Sequence, residues 1–175
     1  MEFRIIGPER AADIRLPNEA FPLTGRLIPT FDGKNWGYRL ETADTPGEMC
    51  FPDENYDYSG MTPEHIFVGA YDGEDCVGLA VLREGWFRYM ALEDLKVNRA
   101  LRRQGIGRGL VEKALEIAQN KGYLGLYAVC QDNNLEACKF YLKTGFTLGG
   151  FDNRVYYGSN QADKADLYFY LTPAP

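Results

Sequence analysis

Seven consecutive residues, Arg102-Arg103-Gln104-Gly105-Ile106-Gly107-Arg108, have the composition of an anion-binding loop. They follow an apolar, extended run at 92–97 and open an amphipathic helical pattern that starts near Gly107. The first backbone N–H groups of a helix have no intrahelical partner, and the helix dipole adds roughly half a positive charge there. Small residues let a ligand approach those groups, so the mouth of such a helix suits a phosphate. Between Lys96 and Arg108 the chain also places Arg99, Arg102 and Arg103, with no acid among them. The whole chain carries a net charge of −6 and a sequence pI of about 4.9, so this basic island reverses the general sign.

Three kinds of glycine loop bind phosphates. A P-loop needs Gly-Lys-Ser/Thr after four spacer residues, which the chain lacks. A dinucleotide loop needs Gly-x-Gly-x-x-Gly close behind a strand. Here the glycines are Gly105, Gly107 and Gly109, and residues 98–104 intervene after the strand. The remaining form is Arg-x-x-Gly-x-Gly between a strand and a helix, which Arg102, Gly105 and Gly107 supply.

The elements around this loop are legible from pattern. Residues 107–121 read as a helix with Leu110, Val111, Ala114, Leu115, Ile117 and Ala118 on one face, ended by Gly122. Residues 134–144 read as a second helix, stopped by Gly145. Strands are expected at 21–31, 36–40, 65–71, 76–83, 89–97, 125–129, 146–151 and 165–171. Residues 72–75 make a hairpin turn, and 42–62, with Pro46, Gly47, Pro52 and Gly60, read as loop. The first twenty residues show no strong pattern. The order, antiparallel strands and then alternating strands and helices, predicts a mixed α/β fold: a central, mostly antiparallel sheet flanked by helices.

A length of 175 residues with 45% hydrophobic side chains fits one domain spanning 1–175. Its core is expected at about 65–171, with a substrate-side region at 1–64. The acidic balance argues against nucleic acid as a partner, and no apolar run reaches membrane-spanning length. The start, Met1-Glu2-Phe3-Arg4, does not resemble a signal peptide, so a cytoplasmic location is expected. The four cysteines form no Cys-x-x-Cys pair and there is one histidine, His65, so no metal site is expected. His65 is read as a strand-end residue.

From Glu41 to Asp75 there is no lysine or arginine, while ten acids occur, among them Asp53, Glu54 and Asp57. Such a segment is either a solvated loop or a docking surface for a polycation. Asp53, Asn55, Asp57 and Glu64 also echo the spacing of a calcium loop. Tyr58 stands where that loop needs glycine, however, and Pro52 and Pro63 disfavour flanking helices.

Leu92-Glu93-Asp94, Arg102-x-x-Gly105-x-Gly107, Asn134-x-x-Ala137, Phe140-Tyr141 and Gly145-Phe146 occur in that order. Together they resemble the GNAT superfamily of acyl-CoA N-acetyltransferases across about 76–171. Residues 84–89 leading into Leu92, residues 131–141, residues 145–152 with the Tyr156-Tyr157 pair, and Ile28-Pro29 with Asn35-Trp36 look like the streptothricin acetyltransferases. Phe87 stands where those enzymes usually carry asparagine.

The resemblance implies acetyl-CoA as co-substrate and a small cationic amine as acceptor, the β-lysine amine of a streptothricin-like antibiotic. A free alkyl amine is almost wholly protonated at neutral pH, a deficit of roughly 4 kcal/mol that a carboxylate base can relieve. Within the family pattern Glu93 is that base. Asp94, one residue on, is expected on the opposite sheet face, serving substrate binding or structure. Tyr141, two helical turns after Asn134, is the expected partner of the leaving CoA sulfur.

The CoA arm and phosphates are assigned to Leu95, Val97, Arg102, Arg103, Gln104, Gly105, Ile106, Gly107, Arg108, Asn134 and Ala137. The acceptor is assigned to Trp86, Tyr89, Asp94, Asp53, Glu54, Asp57 and Asp152, with Trp36 and Tyr156 as further aromatic walls. A GNAT enzyme for another amine (polyamine, aminoglycoside or protein N-terminus) and a non-catalytic acyl-CoA-binding module are the rival readings. A homodimer is compatible with the chain.

Overall fold

A computed structural model describes residues 1–85 and 87–173. In chain order the strands are β1 (Glu2–Ile5), β2 (Phe21–Phe31), β3 (Trp36–Met49), β4 (His65–Asp72), β5 (Asp75–Arg83), β6 (Tyr89–Val97), β7 (Gly125–Gln131), β8 (Thr147–Asp152) and β9 (Asp166–Leu171). The helices are α1 (Tyr58–Met61), α2 (Ile106–Asn120) and α3 (Leu135–Lys143), with 3-10 segments at Pro8–Arg15 and Arg99–Leu101. The class is mixed α/β, as the alternation of periodicities predicts.

The chain folds as two compact units. The first comprises residues 1–19 and 51–126 with residue 173; the second comprises 20–50 and 127–172. In the first unit the strands lie in the order β1-β4-β5-β6, each pair antiparallel. Helix α2 covers one face of these strands. Leu110 and Ala114 are fully buried, and Val111 and Ile117 nearly so. Burying each Val, Leu or Ile contributes about 1.5–3 kcal/mol. A Cβ on Gly78 of β5 would meet Leu110 and Ile106 side-chain carbons at 3.1 and 3.3 Å, which marks how closely α2 lies on that face. The opposite face carries Phe67, Leu79 and Val81, packed with Ile6 and Ile14 and bordered by Tyr56, Tyr58 and Met61.

In the second unit β7, β9 and β8 are neighbours in that order, and β2 and β3 form a separate hairpin. β3 runs on to Met49, well past the strand expected at 36–40. The reason is a bulge: register shifts between Leu23 and Gly25, after which Phe21–Leu23 pair with 47–49. Only glycine fits there, since a Cβ on Gly25 would lie 1.9 Å from the Glu41 carbonyl oxygen. The first twenty residues, patternless in sequence, form β1 and a 3-10 segment whose lone fully buried side chain is Ile14. No helix of the described residues is long and apolar enough to cross a membrane.

Candidate active site

The glycine loop lies in the first unit. Gly105 is the N-cap of α2 with φ of +88°, a left-handed conformation that costs L side chains energy. It has no side chain, so no side-chain hydrogen bond from it caps the opening N–H groups. Ile106 behind them is buried, while Arg103, Gln104 and Arg108 are exposed and Gly107 is half-buried. Gly109, the third glycine of the run, serves packing: a Cβ there would strike the Phe3 ring at 2.2 Å.

The basic island is less uniform than its sequence. Arg102 Nε donates to the Val97 carbonyl at 3.0 Å, and its guanidinium lies 3.7 Å from Glu19. Arg108 pairs with Glu112 one turn on, at 2.8 Å. Lys96 belongs elsewhere altogether, to the carboxylates of β6.

That strand holds the main departure from expectation. Val81 pairs with Asp94, and Leu82 pairs with Leu92, so Glu93 is an extra residue in a bulge of β6. Strict alternation would put Glu93 and Asp94 on opposite faces. The bulge puts both on the face of Phe67 and Val81. Glu93 Oε2 lies 3.0 Å from His65 Nε2, and Glu93 Oε1 accepts from Arg83 Nε. Asp94 Oδ2 accepts from Tyr56 at 3.1 Å and from Lys96 at 3.0 Å. A bulged residue also leaves main-chain polar groups outside the ladder, on the strand that carries these acids. Leu95 and Val97, opposite Ala80 and Gly78, fall on the α2 face.

Electrostatics on this face are strongly coupled. Burial raises the Asp94 carboxyl above its usual range, and the Lys96 ammonium only partly offsets this. Burial works against the Lys96 charge too, but Asp94 and Glu54 outweigh it and hold the ammonium above its ordinary value. Glu54 shows the converse. Its burial is outweighed by hydrogen bonds from Lys96 at 2.6 Å and Asn18 at 2.9 Å, and its carboxyl is held low. Tyr56 is pushed well up by burial and by Asp94.

The acid-rich segment therefore divides. Glu54 is tied to Lys96, and Asp53 accepts from the Asn18 backbone N–H at 2.6 Å. Asp57, exposed, precedes α1 and offers its carbonyl to the Met61 N–H at 3.0 Å. Among the described residues no group of three or more His, Cys, Asp or Glu side chains is placed to hold a metal ion. Tyr89 starts β6, half-buried, with its ring 6.4 Å from that of Phe87. Trp86 lies outside the described residues.

In the second unit Asn134 is the N-cap of α3, its side-chain oxygen accepting from the Ala137 N–H at 3.3 Å. Tyr141, on the same helix, is 8% exposed. Its ring stacks on Phe169 at 5.5 Å and meets Phe146 edge-on at 5.1 Å. Asp152 uses its carboxylate to accept from the Arg154 and Val155 N–H groups, at 2.7 and 3.1 Å. Tyr156 donates to Asp166 and accepts from Gln131, both at 2.8 Å, and burial raises its hydroxyl to about 12. Trp36, Phe31 and Phe151 line a cleft of ≈ 580 Å³ within this unit.

The amino-acid sequence matches the Acetyltransferase (GNAT) family over residues 36–146. Streptothricin acetyltransferase A of Bacillus subtilis (strain 168) is 33% identical over 159 residues, 90% of this chain and 92% of that protein. The chain belongs to the GNAT acetyltransferases. Two solved structures share its fold over nearly the full length. One is a candidate streptothricin acetyltransferase from Bacillus anthracis str. Ames in complex with acetyl coenzyme A: TM-score 0.87, 28% identity, 99% of this chain and 98% of that one. The other is nourseothricin acetyltransferase: TM-score 0.79, 28% identity, 98% and 97% covered.

Within this GNAT chain four residues outside the expected site carry its polar architecture. His65 and Arg83 flank Glu93, Lys96 pairs with both Asp94 and Glu54, and Asp132 accepts from the Ala165 N–H at 3.1 Å and faces Arg26 at 3.2 Å. A signal for Lys96 existed: it stands two residues after Asp94 and so shares its face. His65 and Arg83 had none, because the bulge that turns Glu93 toward them is set by strand pairing.

Proposed function

We propose that this enzyme transfers the acetyl group of acetyl-CoA to a primary amine of a streptothricin-like polycation, a β-lysine type amine. The observation that carries the reading is the bulge, which sets two carboxylates side by side on one face of β6. The amine nitrogen attacks the thioester carbonyl carbon, the C–S bond breaks, and the amine gives up its protons. Glu93, exposed on its strand, is the base that receives the first of them. The donor's pyrophosphate fits the mouth of α2 at 102–108, where no Gly105 side chain caps the N–H groups and Arg103 is exposed. Tyr141 and Asn134 are the residues for the sulfur end of CoA, and Asp94, Asp53, Asp57 and Asp152 attract the cationic acceptor. The kinship with streptothricin acetyltransferases supports the choice of acceptor.

The test is kcat/KM with acetyl-CoA and streptothricin, beside a panel of polyamines and aminoglycosides, for wild type and Glu93→Gln. Wild type should prefer streptothricin, and Glu93→Gln should lose about 10²–10⁴-fold in rate with acetyl-CoA binding intact. Preference for another amine would replace the acceptor. Acetyl-CoA binding with no thiol release for any amine would end the enzymatic reading.

A further inference from the structure

The proton inventory around Glu93 points to a role for His65, and this inference rests on the proposed reading of Glu93 as base. His65 Nδ1 lies 3.1 Å from the Met61 carbonyl oxygen, which can only accept. Nδ1 therefore carries a hydrogen. Nε2 lies 3.0 Å from Glu93 Oε2. A neutral imidazole protonated at Nδ1 would present a lone pair there to a carboxylate oxygen, which is repulsive. The observed contact requires a proton between Nε2 and Oε2. A chain of donors and acceptors results: Met61 carbonyl, imidazole, Glu93 carboxylate, then Arg83 Nε on the other oxygen.

The imidazole is itself held by two neighbours besides Glu93 and is largely buried. Met61 of α1 takes Nδ1, the ring lies against Phe67 with centroids 6.5 Å apart and planes 19° from parallel, and the side chain is 14% exposed. Glu93 is more accessible, at 32%. A carboxylate on a strand has several rotamers, and a free one would spend little time aimed at an amine. Two donors on two oxygens fix its plane and so fix which lone pairs remain open to solvent.

We infer that His65 is a positioning residue for Glu93: through a Met61-anchored imidazole it holds one carboxylate oxygen so that the rest of the carboxylate faces the acceptor amine. The bulge at Glu93 is what brings the acid to the imidazole, so backbone geometry and side-chain clamp act together.

The experiment combines spectroscopy with kinetics. His65 is the chain's only histidine, so its ring proton signals are identified by type alone. Wild type should show two exchange-protected imidazole N–H resonances, of which the Nε2–H is lost in Glu93→Gln while the Nδ1–H held by Met61 remains; an Nε2–H resonance unchanged in the variant would overturn the inference, whatever the enzyme acetylates. His65→Ala should lower kcat on the amine by on the order of 100-fold with the KM for acetyl-CoA unchanged. His65→Gln, whose amide can donate to Oε2, should recover much of that loss. In the Glu93→Gln background His65→Ala should cost nothing further. Equal losses in both backgrounds, or no rescue by glutamine, would make His65 merely structural. If His65→Ala does not fold, the glutamine variant and the N–H resonance decide. A wild type inactive on every amine would fail the proposed function and leave the spectroscopic arm standing.

Discussion

Lys96 and Asp94 project from one face of β6 and meet with Nζ 3.0 Å from Oδ2, and the same ammonium is 2.6 Å from Glu54. A lysine from the basic island is thereby taken away from the glycine loop and placed among the carboxylates of the first unit. Its side chain is 9% exposed, so it could not be removed without leaving two acids short of a counter-charge. Lys96→Met should destabilise the fold by about 3 kcal/mol, the lower range for breaking a buried pair, read as a fall in the urea midpoint. Glu54→Gln and Asp94→Asn added to it should restore part of the loss.

The same pair sets a pH dependence. The folded state holds the Lys96 proton more tightly than the unfolded chain does, because Asp94 and Glu54 outweigh the effect of burial. That stabilisation is complete below the ordinary lysine range and is lost as pH rises through the folded value. The stability difference between wild type and Lys96→Met should therefore be constant near neutrality and shrink at strongly alkaline pH. Urea titrations of both proteins at neutral and alkaline pH check it.

Much of this arrangement was legible in sequence, and the remainder has physical reasons. α2 and α3 declare themselves through apolar spacing and glycine stops, and β6 falls on 89–97 as its pattern predicts. Periodicity sees side chains, so it finds faces but not registers. The extra residue at Glu93 and the bulge at Gly25 are properties of strand pairing, and each redirected a prediction: one the face of an acid, the other the length of β3. Charge runs mislead similarly. Lys96 reads with the arginines that follow it in sequence, but its carboxylate partners come from Asp94 two places back and Glu54 far upstream.

Gly105 combines a structural role with the proposed role in donor binding, and one substitution can separate the two. Its φ of +88° makes Gly105→Ala strained by about 1–2 kcal/mol, although a Cβ there would meet nothing within 4 Å. Gly33, with φ of +95° and equally open surroundings at the β2–β3 turn, is the control. Both alanine variants should lose similar stability by thermal melt. Only Gly105→Ala should raise the KM for acetyl-CoA, and equal KM values for the two would remove the loop from donor binding.

Tyr141 is surrounded by aromatic rings, so its hydroxyl and its ring can be tested apart. Tyr141→Phe keeps the stacking on Phe169 and the edge contact with Phe146, so the aromatic packing is retained. A hydroxyl that serves the departing sulfur would still be missed in turnover, by about 10²-fold for a lost proton donor. Stopped assays of thiol release at saturating acetyl-CoA measure this; an unchanged rate leaves Tyr141 as a core aromatic alone.

Asp132 stitches the second unit together, and its protonation reports on the stitch. Its backbone carbonyl accepts from Leu27, its N–H donates to Ala165, and its carboxylate takes the Ala165 N–H and faces Arg26. Asp132→Ala should cost about 2–3 kcal/mol, since buried donors lose a charged acceptor. Asp132→Asn keeps an oxygen for the Ala165 N–H and should cost less. Burial raises the Asp132 carboxyl above its ordinary value despite Arg26, so folding favours its protonated form. Stability from that group is present below the ordinary aspartate range and is lost as pH rises through the folded value. The advantage of wild type over Asp132→Asn should thus diminish from acid toward neutral pH, and an advantage that grows instead would mean that the Arg26 pair outweighs burial.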